Sequence, residues 1–329
     1  MMNQRKRRQT KKAIVIAALG LFFFSLFYFA MRRWEQEQDV VRAASASDRF
    51  SYKGRDYLPR TDLSTFLLIG VDKFEAGTAA TADFNNQQSD FILLVVVDEA
   101  NQTYRGLHLN RDTMAQIDIL GKNSVRIDTV TQQLALAHTY GTGEQDSCCY
   151  TKRTVSRLLR GVRINHYAAV TMDAVPTVND LLGGVTVTLT DDFTDLDPSM
   201  KPGRTMELMG DQALIYVRAR GSLSDKTNLN RMKRQQEYLT AAISKFDHLS
   251  GADPEFVANT VWEVFPYVTS DLTADQVSGM IDKLAGYSFC GLSSIEGESV
   301  RGPVYMEYHL DEDSLMQTLL ELFCIPAAS

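Results

Sequence analysis

The chain has 329 residues, of which 44% are hydrophobic and 23% are charged, and its formal net charge is −7. That composition supplies enough apolar material for one large core or two modest ones. Eight of the 34 basic residues and none of the 41 acidic residues lie within residues 1–33, so the remainder carries 26 basic against 41 acidic residues. Nucleic-acid binding needs a basic surface, and residues 34–329 are too acidic to provide one, which argues against that function.

Residues 1–12 form a basic tail, and an uncharged apolar run follows at residues 13–31. At about 1.5 Å per residue this run would span about 28 Å as a helix, close to the hydrocarbon thickness of a bilayer. We therefore predict one transmembrane helix at 13–31, with the N-terminus in the cytoplasm and an extracellular C-terminal domain, since more positive charge precedes the run than follows it. The alternative is a cleaved signal peptide, whose apolar region is usually shorter, at about 7–15 residues.

The polar segment 32–61 is predicted to be a stalk or linker with little local structure. Apolar runs predict strands at 66–71, 91–97 and 104–109, the last two joined by a hairpin turn at 99–102. The other predicted elements are helices at 129–140, 151–159, 173–182, 210–216 and 231–246, and strands at 167–171 and 185–189. Strands that alternate with helices predict an α/β fold, an α/β/α sandwich with a central mixed sheet. The main domain would occupy residues 62–249, with 250–329 either its remainder or a C-terminal extension.

The four cysteines show no metal-binding spacing, and neither do the five histidines, so a zinc site is not expected. Adjacent Cys148 and Cys149 cannot easily pair with each other, whereas one of them could bridge to Cys290 or Cys324 in an oxidising compartment. Free thiols are the alternative, and the sequence leaves both open.

Cationic and amide side chains crowd into the stretch from Arg218 to Gln235. Arginine suits phosphate binding because its planar guanidinium group offers several hydrogen-bond donors and stays charged. Arg231, Arg234 and Gln235 are spaced i, i+3, i+4 and share one helical face. Arg218 and Arg220, two residues apart, join them only if the chain leaves its helix there. In an acidic body this pattern predicts a pocket for a small polyanion, with a solvated basic face as the alternative.

Two aspartates stand at the ends of predicted strands. Asp72 follows the strand at 66–71, Asp90 precedes the strand at 91–97, and Arg111 follows the strand at 104–109. In a regular hairpin Asp90 and Arg111 lie opposite each other at one sheet edge. Oxygen ligands at such an edge suit Mg²⁺, which typically joins one or two carboxylates to substrate phosphates. The alternative is that both aspartates are turn or capping residues.

Together, these motifs and others along the chain resemble the LytR-CpsA-Psr family over about residues 62–246. The resemblance is carried by GVD (70–72), SDFILLVVVD (89–98), LNRDT (109–113), HTYGTG (138–143), YAAVTMDAVPTVNDLLGGVTV (167–187), DQALIYVRAR (211–220) and NRMKRQQEYL (230–239). Members of the family are membrane-anchored, extracytoplasmic proteins of Gram-positive bacteria. They are understood as phosphotransferases that move a glycopolymer such as teichoic acid or capsule from a polyprenyl-pyrophosphate carrier to peptidoglycan.

The resemblance implies site residues at the matching positions. Asp72 and Asp90 match the Mg²⁺ ligands, Arg111 matches the catalytic arginine, and Asp112 would orient its side chain. Besides Arg111, the implied pyrophosphate-binding residues are Arg218, Arg220, Arg231 and Gln235, with Arg234 adjoining them. The family also has an apolar channel for the prenyl chain between sheet and helices, whose lining no local pattern identifies here.

The sequence departs from the family pattern near these positions. Gln88, Ile92 and Lys73 stand where an arginine is common, and the segment 133–141 (QLALAHTYG) lacks the family's lysine and asparagine. These changes remove cationic and amide contacts. They leave open a second interpretation, a non-catalytic polyprenyl-phosphate-binding or regulatory protein of the cell envelope.

Overall fold

The computed structural model describes residues 49–72, 87–121, 125–219 and 228–327. The basic tail at 1–12 and the membrane helix predicted at 13–31 lie outside these ranges. Within them, no helix combines the length and the apolar character needed to cross a bilayer. The chain divides into two compact units, one that runs up to Thr61 and includes the residues from Phe323 onward, and one that runs from Asp62 to Leu322.

The smaller unit contains a three-stranded antiparallel sheet in the order β1-β2-β15, formed by β1 (Phe50–Tyr52), β2 (Arg55–Pro59) and β15 (Cys324–Pro326). The turn between β1 and β2 is made by Lys53 and Gly54, both in the left-handed region at φ 48° and 78°. This is the geometry of a tight hairpin turn whose twist matches that of the strands. The expected lack of local structure over 32–61 is therefore wrong for residues 50–59.

The larger unit is built on a six-stranded mixed sheet. Its strands are β3 (Leu63–Val71), β4 (Ser89–Asp98), β5 (Thr103–Leu109), β8 (His166–Thr171), β11 (Val268–Ser270) and β12 (Ser288–Ser293). Their order is β11-β8-β3-β4-β5-β12; the pairs β8–β3 and β5–β12 are parallel and the others antiparallel. The three predicted apolar strands are β3, β4 and β5, so the predicted α/β fold with a central mixed sheet is confirmed.

Three two-stranded ribbons accompany the sheet. They are β6 (Met114–Leu120) with β7 (Arg126–Gln133), β9 (Val185–Thr188) with β10 (Thr205–Leu208), and β13 (Gly297–Arg301) with β14 (Met306–Leu310). The helix predicted at 129–140 is therefore wrong in its first part, which belongs to β7. Only Leu134–Tyr140 is helical, as a 3-10 helix. Four of residues 126–131 are β-branched, and such side chains pair against β6 more favourably than they pack in a helix.

The helices that carry or support the site are α1 (Gln145–Leu158), α2 (Ala174–Leu181), α3 (Asp211–Arg218), α4 (Leu229–Ala252), α5 (Phe256–Val264), α6 (Ala274–Ala285) and α7 (Glu312–Phe323). Helix α2 is closed after Leu182 by Gly183 and Gly184, whose φ angles of 69° and 85° are the left-handed stop predicted from the sequence. Helix α1 begins six residues before the predicted start at 151. Residues up to Leu322 belong to the same compact unit as 62–249, and β11 and β12 form the two edges of its sheet.

The centre of the sheet is the rigid part of this unit. Leu67, Ile69, Ile92, Leu94 and Leu107 are fully buried on β3, β4 and β5. Close-packed interiors hold side chains in fixed positions. Polar residues at the ends of these strands therefore start from a well-defined frame.

Candidate functional site

The sheet edge brings Asp90 and Arg111 into direct contact. The β4–β5 pairing ends at Ile92 opposite Leu109, which leaves Asp90 and Arg111 two residues beyond on either side. Their side chains, 12% and 8% exposed, form an ion pair between the Asp90 Oδ1 and the Arg111 Nη1 atoms. This is the juxtaposition predicted from the hairpin. A β-bulge also occurs here, since Gly70 pairs with Phe91 and the next residue of β3 pairs with Ser89, so Asp90 is the extra residue. Bulges commonly re-aim a side chain beside a functional site.

The Arg111 guanidinium is fixed from three directions. Besides its ion pair with Asp90, its Nη2 donates to the Oε1 of Gln88, and its Nε lies 3.4 Å from the Asp112 Oδ1. The Asp112 Oδ1 in turn accepts a 3.0 Å hydrogen bond from the Nε2 of Gln133, which also donates to the Met306 carbonyl at 2.7 Å. Gln133, 7% exposed, occupies the position of the lysine in the family segment. A neutral donor here thus holds the carboxylate that orients Arg111.

Arg231, in the first turn of α4, approaches the same aspartate from the other side. Its Nη1 lies 3.9 Å from the Asp90 Oδ1 and its Nη2 donates to the Asp90 carbonyl at 3.4 Å. Arg231 is 3% exposed and Arg111 is 7% exposed. One carboxylate therefore bridges two buried guanidinium groups. Such a pair is costly to bury, and a further anion would stabilise it.

A hydrogen bond between two buried asparagines joins the start of α4 to the loop that carries Arg111. Asn228, the N-cap of α4, makes no capping bond with its side chain; its Nδ2 instead donates to the Asn110 Oδ1 at 3.0 Å. The same oxygen accepts the backbone N–H of Asp112 at 3.0 Å. Sequence reasoning did not single out either asparagine, because their 118-residue separation hides the contact.

Arg218 and Asp72 form a second, more open ion pair. The Arg218 Nη2 lies 3.0 Å from the Asp72 Oδ1, with side chains 52% and 38% exposed. Helix α3 ends at Arg218, and Ala219 is extended at φ −56°, ψ 139°, so the chain does leave its helix here. Arg220 lies outside the described residues.

Arg234 has a different environment from the other arginines. Its Nε donates to the Tyr216 carbonyl at 2.9 Å, its Nη2 donates to the Ala219 carbonyl at 2.5 Å, and its Nη1 lies 2.6 Å from the Asp191 Oδ2. The guanidinium also lies over the Phe193 ring, 5.4 Å from its centroid. All three nitrogens are thus engaged by the protein at the end of α3. The predicted contact between Arg234 and a pyrophosphate stays a prediction.

An apolar cavity of about 270 Å³ lies between the sheet and helices α2 and α4. Its lining includes Leu68 and Phe91 from the sheet, Val178 from α2, and Gln235 and Leu239 from α4. Gln235 donates from Nε2 to the Val217 carbonyl at 3.1 Å and is 5% exposed. The cavity lies where the resemblance implies a prenyl channel, and its walls come from distant parts of the sequence.

The cavity adjoins the arginine site through neighbouring positions in the chain. Phe91, which follows Asp90, lines it, and so does Val217, which precedes Arg218. Gln235, one turn of α4 after Arg231, lines it as well. A ligand with a charged head and an apolar tail would reach both regions at once.

The candidate metal ligands are Asp72 and Asp90. Among the described residues, no group of three or more His, Cys, Asp or Glu side chains is placed to hold a metal ion. Two carboxylates at adjoining strand ends are nevertheless a donor set that suits Mg²⁺, which takes its remaining ligands from water and substrate phosphates. Both carboxylates are paired with arginine in this structure. The residues present therefore fit Mg²⁺ only together with an anionic ligand that engages those arginines.

Taken together, the mixed sheet, the buried aspartate–arginine site and the adjoining apolar cavity define an α/β protein able to hold an amphiphilic anion. The model of the LytR_cpsA_psr family matches residues 26–321. The chain belongs to that family.

Relatives and solved structures agree with this assignment. The polyisoprenyl-teichoic acid–peptidoglycan teichoic acid transferase TagU of Bacillus licheniformis is 26% identical over 98% of both chains. Biofilm regulatory protein A of Streptococcus mutans is 24% identical over 87% of this chain and 66% of its own length. The crystal structure of B. subtilis TagV superposes with a TM-score of 0.61 at 21% identity, covering 80% of this chain and 97% of TagV. TagT bound to LI-WTA has a TM-score of 0.60 at 22% identity, covering 79% and 89%. At these identities the two structures establish the common fold.

Proposed function

We propose that this protein is a membrane-anchored, extracytoplasmic phosphotransferase that moves a glycopolymer from a polyprenyl-pyrophosphate carrier to peptidoglycan. The observation that carries the proposal is the pair of buried guanidinium groups, Arg111 and Arg231, around Asp90, beside an apolar cavity. The relative TagU is named a polyisoprenyl-teichoic acid–peptidoglycan teichoic acid transferase, and this name supports the choice of substrate. The proposal includes the membrane helix at 13–31, the α/β/α layering and the extracellular placement of the domain.

The ligand's two ends match the two parts of the site. The prenyl chain would enter the apolar cavity, where burial of each methylene is worth about 0.8 kcal/mol. The pyrophosphate would lie against Arg111 and Arg231, with Arg218 reaching it from the end of α3. Arg220, which lies outside the described residues, is proposed as a further pyrophosphate-binding residue from the family resemblance alone. Arg111 is already oriented by Asp112 and Gln133, so little reorganisation is needed when the anion binds.

The reaction joins a hydroxyl oxygen of peptidoglycan to the phosphorus that carries the glycopolymer. The bond from that phosphorus to the polyprenyl phosphate breaks, and the hydroxyl proton passes to a base. Negative charge grows on the leaving polyprenyl phosphate, where fixed guanidinium donors stabilise it more than they stabilise the ground state. Asp72 and Asp90 would hold Mg²⁺, which supplies further neutralisation of the phosphate oxygens.

The test is turnover of geranylgeranyl pyrophosphate and of its saccharide-linked form by the full-length protein in detergent, with and without Mg²⁺ and with a peptidoglycan acceptor. Mg²⁺-dependent cleavage of the pyrophosphate supports the proposal. A matched control is Arg160→Ala, which removes an exposed arginine paired with Glu312 outside the site and should leave turnover unchanged. Tight binding without cleavage under every condition would instead identify a non-catalytic polyprenyl-phosphate-binding protein.

A further inference from the structure

His108 is a buried polar residue to which the proposed mechanism gives no part. It lies on β5, three residues before Arg111, and is 2% exposed. Its Nδ1 has no hydrogen-bond partner among the described residues. Buried polar atoms are rarely left without a partner, because desolvation without a hydrogen bond costs stability. An unmet nitrogen of this kind beside a binding site points to a ligand atom.

The position of His108 joins the two parts of the site. Its ring packs against the Phe91 ring, with centroids 4.7 Å apart and planes tilted by 44°. Phe91 is one of the residues that line the apolar cavity. The positive charge of Arg231 also acts on His108 and lowers the pKa of its imidazole. The imidazole thus packs against a ring that lines the cavity and is close enough to Arg231 to be influenced by its charge.

The imidazole is neutral at physiological pH. Burial is the main cause and the positive charge of Arg231 the second, and together they lower the pKa of His108 to about 3. A neutral imidazole carries one N–H donor and one acceptor nitrogen. It can add a directed hydrogen bond beside two guanidinium groups without adding a third positive charge.

We propose that His108 is a ligand-binding residue whose Nδ1–H donates a hydrogen bond to the phosphate that bears the prenyl chain of a polyprenyl pyrophosphate. The inference rests on the proposed function and adds a contact that neither the sequence motifs nor the arginines supply. Because an amphiphile with its tail in the cavity and its pyrophosphate at Arg111 and Arg231 must cross the junction between them, its tail-side phosphate lies nearest to His108.

The test compares two substitutions, one that removes the hydrogen-bond donor and one that keeps a donor. His108→Phe keeps the ring against Phe91 but removes both nitrogens, whereas His108→Asn keeps an amide donor near the place of Nδ1. The dissociation constant of geranylgeranyl pyrophosphate is measured by calorimetry on the full-length protein in detergent at fixed Mg²⁺. Since a hydrogen bond to a charged group is among the stronger kind, His108→Phe should weaken binding about tenfold or more and His108→Asn should restore most of it. Equal affinity for the wild type and His108→Phe would overturn the inference.

A second readout measures the ligand's effect on the wild-type protein and uses the variants only to assign one signal. The chain has five histidines, so nitrogen NMR of histidine-labelled wild-type protein can assign the His108 signal by its loss in either variant. Saturation with geranylgeranyl pyrophosphate should shift the His108 Nδ1 resonance. An unchanged resonance at saturation would overturn the inference while leaving the proposed function intact. Failure of the wild type to bind geranylgeranyl pyrophosphate at all would overturn both.

Discussion

Replacing Arg111 by lysine keeps the positive charge and removes the planar fork. Three nitrogens of Arg111 contact Asp90, Gln88 and Asp112, and a lysine ammonium on a flexible stem cannot make all three contacts. Loss of one positioned donor in a reaction of this type commonly lowers turnover about 100- to 1000-fold. The structural cost is smaller, about 1 kcal/mol for each lost hydrogen bond, because the retained charge still compensates Asp90. We expect Arg111→Lys to fold and to lose turnover by about two orders of magnitude.

The assay is cleavage of geranylgeranyl pyrophosphate under saturating Mg²⁺, with urea unfolding as the measure of folding. Arg160→Lys is the matched control, since Arg160 and its partner Glu312 are 57% and 71% exposed and surface pairs contribute about 0–1 kcal/mol. Turnover by Arg111→Lys within threefold of the wild type, in a protein that is as stable, would refute the assignment of Arg111 to the reaction.

Three further predictions concern the cavity, acid stability and packing. Val178→Trp should fill the apolar cavity and abolish binding of geranylgeranyl pyrophosphate while free pyrophosphate still binds, as competition assays would show; unchanged lipid affinity would place the prenyl chain elsewhere. Burial lowers the pKa of His108 to about 3 and, as the main cause, that of His138 to about 4, so below their usual pKa the unfolded chain binds protons that the folded chain does not. The free energy of unfolding should then fall by about 2 kcal/mol per histidine between pH 7 and pH 5, and urea titrations in which His138→Gln retains the whole pH dependence would contradict this. A Cβ at Gly70 would meet the Phe91 Cβ at 2.9 Å, so Gly70→Ala should lower the melting temperature through overpacking of about 1–3 kcal/mol, and an unchanged melting temperature would show that the strands can separate there.

Much of the central sheet could be predicted because its signals are local. The run at 91–97 is continuously apolar and β-branched, and a short polar turn separates it from the next strand, so strand and hairpin follow from neighbouring residues. The contact between Asp90 and Arg111 followed from equal distances on either side of that turn. The helix predicted at 129–140 is wrong over 129–133, the second part of the strand Arg126–Gln133, because that strand forms only by pairing with Met114–Leu120.

Other parts of the site depend on residues that meet only after folding. Arg231, Arg234 and Gln235 lie on one face of α4 at the spacing i, i+3, i+4. Each of the three nevertheless contacts a different part of the protein. Arg231 reaches Asp90, Arg234 is taken up by the end of α3 and Asp191, and Gln235 turns to the cavity. Periodicity reports which side of a helix is shared, and it carries no information about what the neighbouring element offers at each position.

The sequence by itself therefore determined the acidic body, the strands of the sheet centre, the family, and the pair formed by Asp90 and Arg111, because each depends on composition or on spacing within one hairpin. Only the tertiary structure decided two hydrogen bonds, from Gln133 to Asp112 and from Asn228 to Asn110. It also decided the packing of His108 against Phe91 and the residues that line the cavity. Those contacts join side chains far apart in the chain, whose hydrogen bonds and packing are settled only when the core brings their backbones to fixed positions.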